Sequence, residues 1–100
     1  MGSIYELDTF IVNLSDPKGK RYLRVTMDLE MSKEDLREEI EMRVPQIRNA
    51  ILMILPSRTV EGVQSIEGKI ALRDEIITEV NNILSNGSIT NLYFTEFVVQ

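Results

Sequence analysis

One hundred residues, 43% hydrophobic and 27% charged, suit a single soluble domain able to bury roughly 65% of the surface it exposes when unfolded. A net charge of -5 lacks the basic footprint of a nucleic-acid binder and disfavours acidic substrates. With neither cysteine nor histidine, the chain has no thiolate or imidazole nucleophile, no Ser-His-Asp triad and no zinc site of the usual ligand types.

Met1-Gly2-Ser3 reads as an expression scar, an expectation under which a native N-terminal anchor was cut away. No window approaches the ~18 uncharged apolar residues of a membrane span. Residues 4–100 read as one domain. Leu7 to Leu14 is an apolar, β-favouring run, and Ser15-Asp16-Pro17-Lys18-Gly19 supplies a turn with Pro and Gly where turns want them. In the next strand Leu23, Val25, Met27, Leu29 and Met31 alternate with Tyr22, Arg24, Thr26, Asp28 and Glu30, the period of a sheet with one face buried.

Ser32 before Lys33-Glu34-Asp35 resembles a helix cap, and Leu36, Ile40, Val44, Ile47, Ile51 and Ile54 or Leu55 form one apolar stripe. Pro45 interrupts the backbone ladder inside that stripe and predicts a bend; Pro56 closes the segment. Thr59 caps a single turn and Ser65 caps a second long helix. The stripe of that helix is Ile66, Ile70, the stem of Arg73, Ile77, Val80 and Leu84, widened by Leu72, Ile76 and Ile83. Gly87 is expected to end it. The last strand is apolar on both faces by simple alternation, with Ile89, Tyr93, Phe97 and Val99 on one and Leu92, Phe94 and Val98 on the other. That pattern requires either a central strand or a face offered to a partner. The fold class is α+β, a small antiparallel sheet made of an N-terminal hairpin and a C-terminal strand, packed against two long helices.

The candidate sites are weighed against plain surface chemistry. Asp28 and Glu30 lie roughly 7 Å apart on one strand face, but a solvated face explains them better than an acid–base pair, which needs a pocket. Glu34, Asp35, Glu38, Glu39 and Glu41 form an acidic first half-helix, with Glu39 and Arg43 four apart as an ion pair. A solvated face is the plain account and a partner face the functional one. Lys18, Lys20, Arg21 and Arg24 are the only basic concentration. Charged hairpin tips deter strand pairing, yet facing the acidic helix start of a second copy they would make a head-to-tail contact. Tyr93, Phe94 and Phe97 are core or association residues. No catalytic, metal or cofactor-binding residues are assigned.

Several stretches together resemble the FliL family of flagellar basal-body proteins, in their soluble C-terminal domain. They are Pro45-Gln46-Ile47-Arg48 with Ala50-Ile51-Leu52, Ser57-Arg58-Thr59-Val60-Glu61, Gly68-Lys69 leading to Leu72-Arg73-Asp74-Glu75-Ile76, and above all Tyr93-Phe94-Thr95-Glu96-Phe97-Val98-Val99. The resemblance implies a stomatin/prohibitin-like unit and a non-enzymatic protein without cofactors. It also implies an anchor in the bacterial inner membrane, a periplasmic domain, assembly into a homo-oligomeric ring, and association with flagellar stator proteins of the MotA/MotB type in support of motility. A stomatin-type membrane scaffold without a motor role is the alternative.

Overall fold

The alternation in the middle of the chain builds the centre of the molecule. In the computed structural model, which describes residues 2–100, the chain runs β1 (Ile4–Glu6), β2 (Phe10–Leu14), β3 (Arg21–Met31), α1 (Leu36–Ile54), a 3-10 turn (Leu55–Ser57), α2 (Val60–Gln64), α3 (Ile66–Ile83) and β4 (Ile89–Val99). Met1, read above as part of a scar, lies outside the described residues. Leu23, Val25, Met27 and Leu29 are fully buried against Leu36, Ile40, Ile47, Ile51, Leu72 and Ile76. The result is an α+β fold in which an antiparallel sheet of four strands carries its helices on one face.

β3 is the central strand. β4 pairs with it from Leu23 to Met31, so β1, opposite Asp28 to Glu30, and β2, opposite Arg21 to Val25, share its other edge end to end. The single strand expected over Leu7 to Leu14 is therefore corrected to two short ones. Tyr5 faces Leu29 and Phe10 faces Val25, so three residues on the edge side (Leu7, Asp8, Thr9) span two on β3. This is a bulge, and it reverses side-chain parity. Leu7, at an odd position, and Phe10, Val12 and Leu14, at even ones, are all buried as a result. The Arg48 guanidinium holds the bulge from α1, donating to the carbonyls of Asp8 (2.8 Å) and Thr9 (3.3 Å) while lying 3.9 Å from the Phe10 ring centroid.

The same device resolves the last strand. Its register against β3 slips between Thr26 and Met27 and again between Glu30 and Met31, placing an extra residue at Thr95 and at Thr90. The partners across the ladder are then Ile89 with Met31, Leu92 with Leu29, Phe94 with Met27, Phe97 with Val25 and Val99 with Leu23. All five point at the helices. The expectation of two apolar faces is thus overturned: Phe94 and Phe97 lie on one face, with centroids 5.2 Å apart in edge-to-face geometry, and Tyr93 lies on the other.

α1 passes through Pro45 as one helix; Pro45 is exposed, so the carbonyl it leaves unpaired is on the solvent side. Ser32 does not cap it. The Ser32 N–H donates to the Ser88 carbonyl at 2.9 Å and its hydroxyl accepts from the Ser88 N–H at 3.2 Å, which extends the β3–β4 ladder and delays the helix to Leu36. Thr59 and Ser65 cap as expected, accepting from the N–H of Gly62 (3.0 Å) and Gly68 (2.9 Å). In α3 the buried stripe is Leu72, Ile76 and Val80, while Ile66 and Ile70 are 73% and 44% exposed, correcting the stripe drawn through them. Nor does Gly87 end α3, which stops at Ile83. Gly87 (φ 157°) instead sits against Ser32 and Leu36, where a Cβ would come within 3.0 Å of the Ser32 hydroxyl.

Candidate functional site

The strand β3 also sets the geometry of the charged groups, because the basic hairpin precedes it and the acidic helix start follows it. Eleven extended residues separate the two by roughly 33 Å along a molecule whose longest extent is 45 Å. The structure therefore does not bring Lys18, Lys20 and Arg21 together with Glu34, Asp35 and Glu38. It puts them at opposite poles.

At the basic pole the turn is closed locally: the Lys18 N–H donates to the Asp16 carboxylate at 2.9 Å, and Gly19 takes φ 130°. Arg21 is drawn back onto the fold, with Asp16 at 3.7 Å and its Nε donating to the Gln100 carbonyl at 3.1 Å. Arg24 lies on the open sheet face with Glu96 at 3.1 Å. Lys18 and Lys20 are exposed, and neither has an ion-pair partner among the described residues. At the acidic pole Glu34 pairs with Arg37 (2.7 Å), which with Ser3 holds its carboxyl down at about 2. Asp35 is 3.9 Å from Lys33, and Glu38 is exposed without a partner among the described residues.

Glu39 was read with this solvated acidic face, and that reading is corrected. It is 7% exposed, the one buried charged residue among those described. Its carboxylate accepts from the N–H of Asn86 (2.8 Å) and Ser85 (2.9 and 3.1 Å), the Ser85 hydroxyl (2.9 Å) and Arg43 Nε (2.7 Å). These donors, the Asn86 N–H foremost, hold it down at about 2. It is the anchor of the α3–β4 connection. The expected Glu39–Arg43 pairing was a legible signal; the main-chain donors forty-six residues away were not.

The open sheet face presents Asp28 and Glu30 without enclosing them. Burial lifts the Asp28 carboxyl, with Glu6 adding to it, whereas the Tyr93 hydroxyl, donating at 2.6 Å, lowers Glu30. Among the described residues no three carboxylates converge as a cation site, and no helix is long and apolar enough to cross a membrane. On the helix side, Ile66, Lys69, Ile70 and Arg73 of α3 line a shallow groove with Leu92, Tyr93 and Phe94. Sequence reasoning missed this groove because Ile66 and Ile70 have the spacing of core residues. Their position in the first turns, ahead of Leu72, was the available sign that they overhang it.

The matching of residues 4–100 to the family model described as flagellar basal body-associated protein FliL decides the relationship. The chain belongs to the FliL family. It is 41% identical to the flagellar protein FliL of Aquifex aeolicus over 101 residues, covering all of this chain and 63% of that protein. It is 24% identical to the Bacillus subtilis FliL, covering all of this chain and 69% of the relative. Against the Escherichia coli FliL it is 29% identical, over 96% of this chain and 64% of the relative. The chain thus spans about two thirds of the length of these FliL proteins.

Proposed function

We propose that this FliL domain is periplasmic and tethered to the bacterial inner membrane. On this reading its copies associate side by side in a ring, and the ring attends the stator units of the flagellar motor and supports motility without catalysis. The observation that carries this reading is the bipolar charge: Lys18 and Lys20 free at one end of β3, Asp35 and Glu38 at the other. Identical neighbours placed head to tail bring the two poles into register, a heterologous contact that closes into a ring when its rotation permits. Exposed charges interact weakly, so the contact depends on tethering, which raises the effective concentration of neighbours. The absence of histidine and cysteine from the sequence supports a role exercised through surfaces.

The test is charge reversal in the full-length, membrane-anchored protein. Lys18→Glu with Lys20→Glu should leave the domain folded, abolish assembly and impair swimming. Adding Asp35→Lys and Glu38→Lys to the same chain should partly restore both. Assembly and swimming untouched by the hairpin reversal would refute the reading.

A further inference from the structure

The two edges of the sheet are treated differently. On the β1–β2 side the carbonyls of Ile4, Asp8 and Thr9 are engaged from α1, by Arg37 at Ile4 (3.0 Å) and Arg48 at Asp8 and Thr9, and the Ser15 N–H donates to the Arg58 carbonyl at 3.0 Å. On the β4 side only the first half is covered. Asn81 brackets Ile89, donating to its carbonyl at 3.1 Å and accepting its N–H at 2.8 Å, and Asn91 accepts the Leu92 N–H at 2.8 Å. Beyond that, Tyr22 and Gln100 exchange both main-chain hydrogen bonds (2.9 and 2.8 Å). The antiparallel alternation then turns the N–H and C=O of Phe97 and Val99 away from β3, and among the described residues no strand runs along that side.

Phe94 to Val99 is therefore an open edge. It contains no lysine or proline, and its single charge, Glu96, is engaged by Arg24. Such an edge invites pairing unless something covers it. Beside it lies the groove of about 280 Å³, its wall made by the exposed Ile66 and Ile70. The groove is positive in an otherwise acidic protein. Lys69 Nζ stands 5.0 Å from the Phe97 ring centroid with no carboxylate partner among the described residues, and Arg73 reaches only its neighbour Asp74 at 3.2 Å.

We propose that the Phe94–Val99 edge takes up an extended segment of another protein as an added strand, one whose helix-side residues alternate apolar with acidic. Main-chain pairing supplies affinity; Ile66, Ile70 and Phe94 receive the apolar side chains and Lys69 and Arg73 the carboxylates. A second copy fits poorly, since the helix-side residues of its β2, Phe10, Val12 and Leu14, offer no carboxylate to Lys69 and Arg73, and pairing β4 with β4 brings two Lys69 side chains to one joint. This site is separate from the charged poles and stands whether or not they pair.

The test is a titration of the isotope-labelled chain with two blocked octapeptides, the Val-Glu peptide being Val-Thr-Glu-Thr repeated and the Val-Lys peptide Val-Thr-Lys-Thr repeated, so that Val and the charged residue alternate on one face of the added strand. The Val-Glu peptide should shift the amide resonances of Phe94, Phe97 and Val99 and slow their hydrogen exchange, and the Val-Lys peptide should bind at least about tenfold more weakly. Lys69→Glu with Ile70→Glu, both at solvent-accessible positions, should weaken the Val-Glu peptide by at least about tenfold and leave the melting temperature unchanged. Equal binding of the two peptides, or no protection of these amides at millimolar Val-Glu peptide, overturns the proposal. So does concentration-dependent protection of the same amides in the chain alone, which would make the edge a self-interface.

Discussion

The Glu39 carboxylate, in the first turn of α1, accepts the main-chain N–H of Asn86 at 2.8 Å and so ties the end of α3 to the start of α1. Because the Ser85 N–H shares the same carboxylate, two groups freed by the end of α3 are satisfied by one side chain rather than by a glycine cap.

This has a pH consequence of definite sign. The folded value is about 2 against an unfolded 4.5, so protonation favours the unfolded chain. The stabilisation is fully present above 4.5 and is lost as pH falls from there towards 2. Glu39→Gln should therefore lower the melting temperature by several degrees at neutral pH and converge with the parent near pH 2. Thermal melts across that range check it; a constant difference would show that the charge is irrelevant.

At Gly68 α3 comes so close to α2 that a Cβ there would collide with the Gly62 carbonyl oxygen. Gly68→Ala should cost about 1–3 kcal/mol through overpacking, despite alanine's better helix propensity. At Gly62 the nearest atom to an added Cβ is the Thr59 hydroxyl at 3.1 Å, so Gly62→Ala should cost less. Urea denaturation of the two variants gives the comparison.

Deleting Thr95 removes one bulge, and Phe94, Glu96 and Phe97 then fall opposite Met27, Thr26 and Val25 in an unbroken ladder, so every apolar side chain of β4 keeps its face. We expect dispersed amide resonances to be retained on deletion of Thr95, with changes confined to the strands around it; their general loss would show that the fold needs the bulge itself. Phe94→Ala should cost about 2 kcal/mol and Tyr93→Ala under about 1, because Phe94 packs on the core whereas Tyr93 is 40% exposed.

The parts of this fold that were legible are those where one period governs: the strict alternation of β3, the α1 stripe from Leu36 to Leu55, and the caps at Thr59 and Ser65. What was hidden depends on one-residue insertions. Leu7 with Phe10, and Leu92 with Phe97, break parity, and a strand read with a fixed period assigns them to opposite faces although bulges reunite them. Glu39 and Ser32 were misread for a different reason. Their partners, Asn86 and Ser88, come from the far end of the chain, and no local pattern announces a contact of that range. The charged poles were visible as composition, but only the span of β3 between them places them apart.

The most direct test of the head-to-tail contact uses the chain's lack of cysteine. Full-length protein in native membranes, carrying both Lys20→Cys and Glu38→Cys, would be treated with a short bismaleimide and resolved by denaturing electrophoresis. The account predicts a ladder of multimers from the double variant, its intensity falling as salt rises, and at most a dimer from either single variant. An unladdered double variant, in membranes where the stator and flagellum are assembled, would contradict it.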